Sequence, residues 1–197
     1  MSTELKNKKV AILATEGFEQ VEMVEPRKAL EEAGAETALV SPAETPKIKA
    51  WNFKRWGRSY KVEAPLSSAN PDDYDALLLP GGVMNPDKLR RDPQVLDFIK
   101  SFFNAGKPVA AICHAPWTLI DAEVLKGRRI TSYHSLQTDL KNARAQWVDE
   151  EVVEDGNLVT SRNPGDLPAF NRKIIEKFQE GGREEKAGQP RHEMAAG

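Results

Sequence analysis

The chain has a single cysteine, Cys113. It can form no internal disulfide, which agrees with a reducing compartment and leaves one free thiol to explain. Apolar runs long enough to cross a bilayer are missing, and the polar stretch up to Lys9 has no signal-peptide core. An excess of one charge is missing too. The 28 basic and 30 acidic residues give a net charge of −2 and are interspersed rather than gathered into blocks. That balance gives no reason to expect nucleic acid or an anionic membrane as partner. Internal repeats are absent. These absences describe a cytoplasmic globular protein, and 197 residues fit one domain.

What is present alternates regularly. Val10-Ala-Ile-Leu-Ala14 is a short apolar run, followed by a polar turn at Thr15-Glu-Gly17 and an amphipathic stretch over residues 21–33. Gly34 then stops the helix before the next apolar run at 37–40. The pattern returns as a strand at 76–79, a helix over 93–105, a strand at 108–112 and a helix over 114–125. Fully apolar strands between amphipathic helices predict an α/β fold with a mostly parallel sheet covered on both faces. Residues 47–62 interleave Trp51, Phe53, Trp56 and Tyr60 with Lys and Arg, a composition suited to a hairpin or surface ribbon. Asp155-Gly156-Asn157 between two alternating runs signals a hairpin, and 167–178 is the last amphipathic helix. The domain is expected over 1–180. From 181 to 197 the chain has almost nothing to bury and is expected to be disordered, His192 included.

Cys113 follows a buried strand and precedes His114 and Ala115-Pro116, which open a helix. It therefore falls at the carboxyl edge of a parallel sheet, where such folds place ligands. Backbone N–H groups and the dipole at a helix start favour the thiolate, the reactive form. A small buried hydrophobe is the alternative reading of a lone cysteine after an apolar strand. Pro80-Gly81-Gly82 ends another strand, and the N–H groups of Gly82 and His114 are positioned to form an oxyanion hole. An ordinary tight turn is the alternative there. Glu16 and Glu19 lie in the loop after the first strand at the same edge. An ionised carboxylate beside the thiol would oppose thiolate formation, whereas a protonated one would donate a hydrogen bond to it. Equally, both glutamates fit the first turn of a helix as dipole-matching charges. Trp117 reads as core packing or a pocket wall. Tyr133 and His134 sit at a strand end where they can line the pocket, with a surface role open for His134.

Several segments in matching order resemble the ThiJ/PfpI superfamily, in its intracellular-protease-I branch. They are Ala-Thr-Glu-Gly-Phe-Glu19, Leu-Leu-Leu-Pro-Gly-Gly82, Gly-Lys-Pro-Val-Ala-Ala-Ile-Cys-His114, Leu-Lys-Gly-Arg128, Thr-Ser-Tyr133 and Thr-Ser-Arg-Asn-Pro-Gly-Asp-Leu167. The resemblance spans roughly residues 8–178. It implies a three-layer, flavodoxin-like sandwich akin to class I glutamine amidotransferase domains, with the cysteine on a nucleophile elbow. It further implies Cys113 as nucleophile, His114 as neighbouring base, Glu19 as the carboxyl group contacting the sulfur, and Gly82 with His114 as backbone donors. Asp87 falls where the branch places an acid that orients the histidine across a subunit interface, so at least a homodimer is expected. Ala115 stands where glycine is frequent, which would add a methyl group to the floor of the site and favour small substrates.

Three chemistries fit these residues. The favoured one is a stress-response enzyme without metal or other cofactor, acting on reactive dicarbonyls such as methylglyoxal or on early glycation adducts, with the thiolate attacking an aldehyde carbon. A cysteine protease would use the same nucleophile and oxyanion hole. A third reading is non-catalytic, with Cys113 as a peroxide-sensitive thiol in a stress sensor or chaperone. Expelling an amine from a peptide is harder than attacking an aldehyde, which favours the first.

Overall fold

A computed structural model describes residues 4–181. The expected disordered tail beyond that point, His192 included, lies outside the described residues. In chain order the elements are β1 (Lys9–Leu13), α1 (Gln20–Glu32), β2 (Glu36–Ser41), the hairpin strands β3 (Lys47–Asn52) and β4 (Arg55–Lys61), β5 (Ala64–Pro65) and β6 (Ala76–Leu79). Then come α2 (Met84–Leu89), α3 (Pro93–Asn104), β7 (Val109–Ile112), α4 (Pro116–Asp121) and β8 (Arg129–Ile130). The chain closes with α5 (Gln137–Asn142), β9 (Gln146–Trp147), β10 (Val152–Asp155), β11 (Leu158–Ser161) and α6 (Leu167–Glu180).

One sheet of seven strands runs β10-β11-β7-β6-β1-β2-β5, and only β10 is antiparallel to its neighbour. Counting the parallel strands β1, β2, β6, β7 and β11 in chain order gives the spatial order 2-1-3-4-5, the flavodoxin-like arrangement. Successive side chains in a strand point to opposite faces, and both faces here are apolar. Ala11, Leu13, Leu77, Leu79, Val109 and Ala111 pack with Phe98 and Phe102 of α3 and Leu119 of α4. Val10, Ile12, Leu78, Ala110 and Ile112 pack on the other side with Met23 and Leu30 of α1 and Phe170, Ile174 and Phe178 of α6. The result is the expected three-layer sandwich.

The helix expected over 114–125 is shorter, spanning only Pro116–Asp121. Pro116 is suited to a first helical position, and Glu123 at φ +57° turns the chain out of the helix. Two short helices, α2 and α5, gave no readable period because six residues complete less than two turns.

Phe102 and Phe170 are fully buried on opposite faces of the sheet. Truncating either to alanine should cost about 3–5 kcal/mol in urea denaturation, and the two losses should add. A loss under about 1 kcal/mol for either would contradict this description of the core.

Candidate active site

The loops after β1, β6 and β7 meet at the carboxyl ends of adjacent strands. Between β1 and β6 the connections diverge to opposite faces of the sheet, leaving the crevice that such folds use for ligands. Buried Asn85 joins two of these loops. Its Oδ1 accepts the Thr15 N–H at 2.7 Å and its Nδ2 donates to the Pro80 carbonyl at 2.9 Å. The hairpin closes a third side: the Gly17 N–H donates to the Lys49 carbonyl at 2.9 Å, and the Trp51 N–H to the Phe18 carbonyl at 2.7 Å.

Cys113 occupies the turn between β7 and α4 with φ +63°, a left-handed conformation that is costly for a side-chain-bearing residue. Its N–H donates to the Ser161 carbonyl at 3.0 Å and its carbonyl accepts the Tyr133 N–H at 2.9 Å, so neighbours on both sides hold the turn. This is the sharp strand-to-helix elbow that exposes a nucleophile. Gly81 is required beside it. A Cβ there would lie 2.8 Å from the Cys113 Cβ and 2.6 Å from Glu22 Oε2. Gly82 adopts φ +82°, and its N–H and that of His114 are hydrogen-bonded to the sulfur. These are the two donors named in the sequence reading.

The carboxyl group at the sulfur belongs to Glu22, not to Glu19 as the sequence reading expected. Glu22 is fully buried, its Oε2 accepts the Gly81 N–H at 3.0 Å, and its side chain hydrogen-bonds to Cys113. Glu19 is the extended residue that starts α1, and its carboxylate turns to the hairpin, accepting the Phe53 N–H at 3.3 and 3.4 Å. It still lines the same pocket. Glu16 also faces the hairpin, its Oε2 accepting the Lys49 N–H at 3.1 Å. Glu22 did not feature in the sequence reading, which considered only Glu16 and Glu19. The signal was in the period: the buried residues Glu22, Pro26 and Leu30 are spaced four apart, which puts an acid on the inward stripe.

Burial pushes the Glu22 carboxyl up to about 8, so it carries a proton at neutral pH. Burial and the facing Glu22 also push the Cys113 thiol up, against the opposing pull of the Gly82 and His114 N–H groups. The expectation of a thiol lowered by the following helix is therefore not met. Helix α4 has only six residues, and desolvation outweighs the donors. Thiol and carboxyl each make the other's ionisation harder, so their titrations are coupled.

His114 Nδ1 lies 3.1 Å from the sulfur and its Nε2 lies 3.3 Å from Ser135 Oγ. Burial, then the charge of His134, holds the imidazole down to about 4, so it is neutral at physiological pH. Ser135 did not feature in the sequence reading, and nothing in its surroundings marks it. Because a hydroxyl both donates and accepts, it serves either imidazole tautomer. Tyr133 stacks on His114 with ring centroids 4.5 Å apart and lines the pocket. His134 is exposed and packs against Tyr133 at 4.3 Å, outside the pocket wall. Trp117 is also outside it. Its Nε1 donates to Asp139 Oδ2 at 3.1 Å and the Arg90 guanidinium lies over its ring at 4.8 Å, which makes it packing between α4 and α5. The Ala115 methyl is buried in the core on the α3 and α4 side rather than at the site's floor. Asp87 is exposed on α2 and has no bond to His114 among the described residues of this chain.

The pocket holds about 620 Å³, and Trp51, Phe53, Val83 and Met84 make its rim mostly apolar. That size suits a small molecule. No group of three or more His, Cys, Asp or Glu side chains able to hold a metal occurs among the described residues.

The Glu22 assignment has a signed consequence. The folded state keeps the Glu22 proton up to about pH 8, whereas the ordinary carboxyl value is 4.5. Its contribution to stability is whole below pH 4.5, declines as pH rises and is lost above about 8. Urea denaturation across that range should give a flatter profile for Glu22→Gln than for the parent. The same substitution removes the like charge at the sulfur, so the apparent pKa of Cys113 alkylation should fall. Unchanged profiles in both measurements would refute the pairing.

The sequence matches the DJ-1/PfpI family over residues 8–177. General stress protein 18 of Bacillus subtilis is 45% identical over 169 residues, covering 85% of this chain and 96% of that protein. A second Bacillus subtilis relative, YraA, bears a provisional cysteine-protease name; it is 44% identical over 86% of this chain and 97% of its own length. Deglycase PfpI of Pyrococcus furiosus is 42% identical over 85% and 97%. Among solved structures, Drosophila melanogaster DJ-1beta superposes with a TM-score of 0.78 at 29% identity, over 94% of this chain and 98% of that one. A two-domain protein from Anabaena variabilis with DJ-1/ThiJ/PfpI-like and ferritin-like domains superposes at 0.83 and 36% identity. That match covers 96% of this chain and about half (52%) of the larger protein. The chain belongs to the DJ-1/PfpI family.

Proposed function

We propose that the protein is a cysteine-dependent enzyme that converts small reactive dicarbonyls, or their early adducts, to hydroxy acids. One observation carries this reading: a nucleophilic sulfur, a protonated carboxyl, a neutral imidazole and two backbone N–H donors converge in one small pocket. The name of the Pyrococcus furiosus relative, a deglycase, agrees with it.

With methylglyoxal the steps balance without an oxidant. Sulfur bonds to the aldehyde carbon as the Cys113 proton passes to the carbonyl oxygen, which the Gly82 and His114 N–H groups stabilise while it is negative. Neutral His114 accepts the proton from that carbon, and Glu22 delivers one to the neighbouring carbon through an enediol. The product is a lactoyl thioester. Water attacks it and gives a proton to Glu22, the C–S bond breaks and the sulfur takes back the proton held by His114, so methylglyoxal and water give lactate and a released proton. A second copy of the chain belongs to this reading, with Asp87 supplied across the interface. A monomeric, fully active protein would remove Asp87 from it.

Purified protein stripped of metal and glutathione should release lactate from methylglyoxal, and Cys113→Ala should abolish the reaction. Glu22→Gln should lower kcat by about 10²–10⁴-fold while Cys113 becomes easier to alkylate, a split that separates proton transfer from nucleophilicity. No turnover at high enzyme concentration would overturn the proposal. Casein cleavage that disappears in Cys113→Ala would support the protease instead. Stepwise gain of oxygen on Cys113 at low peroxide, with a stress phenotype that survives loss of turnover, would support the sensor.

A further inference from the structure

The chemistry at Cys113 leaves one acid of the pocket without a task. Glu22 faces the sulfur, whereas Glu19 lines the same pocket and has no hydrogen bond to Cys113 or His114 among the described residues. Glu19 is buried, and it takes part in no ion pair among the described residues. Its companions on the rim, Trp51, Phe53, Val83 and Met84, are apolar or aromatic, and no lysine or arginine lines the cavity among the described residues. A carboxylate without a counter-charge in a small apolar pocket acts on whatever charge enters it.

The two acids divide proton and charge between them. Glu22 holds its proton up to about pH 8. Burial raises Glu19 from 4.5 as well, but the Phe53 N–H, which donates to both of its oxygens at 3.3 and 3.4 Å, pulls the other way. Glu19 also stands at the start of a 13-residue helix, where a negative charge is favoured. Its repulsion is in turn one of the causes that keep Glu22 protonated. Two carboxyls given different protonation states by their surroundings have different tasks. His114 is neutral, so no imidazolium offsets the Glu19 charge. The Gly82 and His114 N–H groups attract anions, but they are aimed at the sulfur, where an oxyanion exists only during reaction.

We propose that Glu19 sets the charge selectivity of the pocket: its carboxylate admits uncharged dicarbonyls, turns away 2-oxo acids and drives out the hydroxy acid product. The identities of substrate and product rest on the reaction proposed above; the selectivity itself does not. Methylglyoxal and lactate are close in size and differ by a full negative charge, so shape alone separates them poorly. Like charges a few ångströms apart in weakly screened surroundings repel by enough to change occupancy ten-fold or more. The lactoyl group is uncharged while it is bonded to sulfur, and it becomes an anion only when water releases it. Repulsion therefore begins at the moment the turnover is complete. Asp87 supplied by a second copy would add a charge of the same sign.

The probes are two alkylating agents of nearly equal size, neutral iodoacetamide and anionic iodoacetate, applied to the full-length protein at about pH 7, where Glu22 keeps its proton. The same thiolate attacks both, so their rate ratio cancels the intrinsic reactivity of Cys113, and N-acetylcysteine supplies the ratio for a thiol without a pocket. Relative to that standard the protein should disfavour iodoacetate about ten-fold. Glu19→Gln, which keeps an oxygen for the Phe53 N–H, should remove most of this preference, and Glu19→Asp, which keeps the charge, should retain it. In methylglyoxal turnover, lactate should inhibit Glu19→Gln about ten-fold more strongly than the parent. Circular dichroism on each variant separates these effects from misfolding. A parent protein with the free-thiol ratio would overturn the proposal whatever the variants do, and so would a folded Glu19→Gln with the parent's ratio. Alkylation requires no turnover, so a protein that forms no lactate would overturn the reaction proposed above while the alkylation ratio still decides the role of Glu19.

Discussion

The burial of the Cys113 thiol against the Glu22 carboxyl, each raised by desolvation and by the other, is the constraint on which the site depends. Two negative charges at this depth and separation would repel strongly, so one of the pair must stay neutral. Everything nearby accommodates that. Gly81 has no side chain because Glu22 Oε2 and the Cys113 Cβ already fill the space. In its left-handed turn the Cys113 sulfur meets Glu22, His114 and the Gly82 N–H together. The strain of that turn is held by ladder-like bonds to Ser161 and Tyr133, which belong to different parts of the chain.

The surrounding layers keep this arrangement fixed. Two apolar cores clamp the sheet from both sides, so the carboxyl ends of β1, β6 and β7 cannot shift relative to one another without opening packed volume. His114, held neutral by burial and by the nearby His134, links the sulfur to Ser135 through its two ring nitrogens. The site thus runs from a sealed acid on one side of the sulfur to an exposed hydroxyl on the other.

The parallel sheet, its covering helices and the elbow were legible in the sequence because each rests on a repeating pattern: apolar runs, helical spacing and Pro or Gly at the ends. The particular carboxyl was not. Glu19 and Glu22 are three residues apart, and which one faces inward depends on where α1 starts and how its first turn is aimed, a tertiary matter. Trp117 illustrates the same limit. Proximity to Cys113 in sequence suggested a pocket wall, but a helix turns successive residues through about 100° and carries this one toward α5. Ser135 is close to His114 only because the Tyr133 N–H bonds to the Cys113 carbonyl and so holds the segment after β8 against the turn after β7. The hairpin was recognisable as a ribbon from its composition, but its position at the pocket depends on the backbone bonds of Gly17 and Trp51.

Asn85 ties the loop after β1 to the loop after β6, and its amide supplies both the acceptor and the donor. Asparagine side chains age: the following backbone nitrogen attacks the amide carbon, ammonia leaves and a carboxylate eventually remains. A carboxylate at this position could no longer donate to the Pro80 carbonyl, and it would add a charge close to Glu22. The residue after Asn85 is Pro86, whose ring nitrogen carries no hydrogen and is a poor attacker. The joint between the two loops is thereby protected from the commonest spontaneous decay of its own side chain.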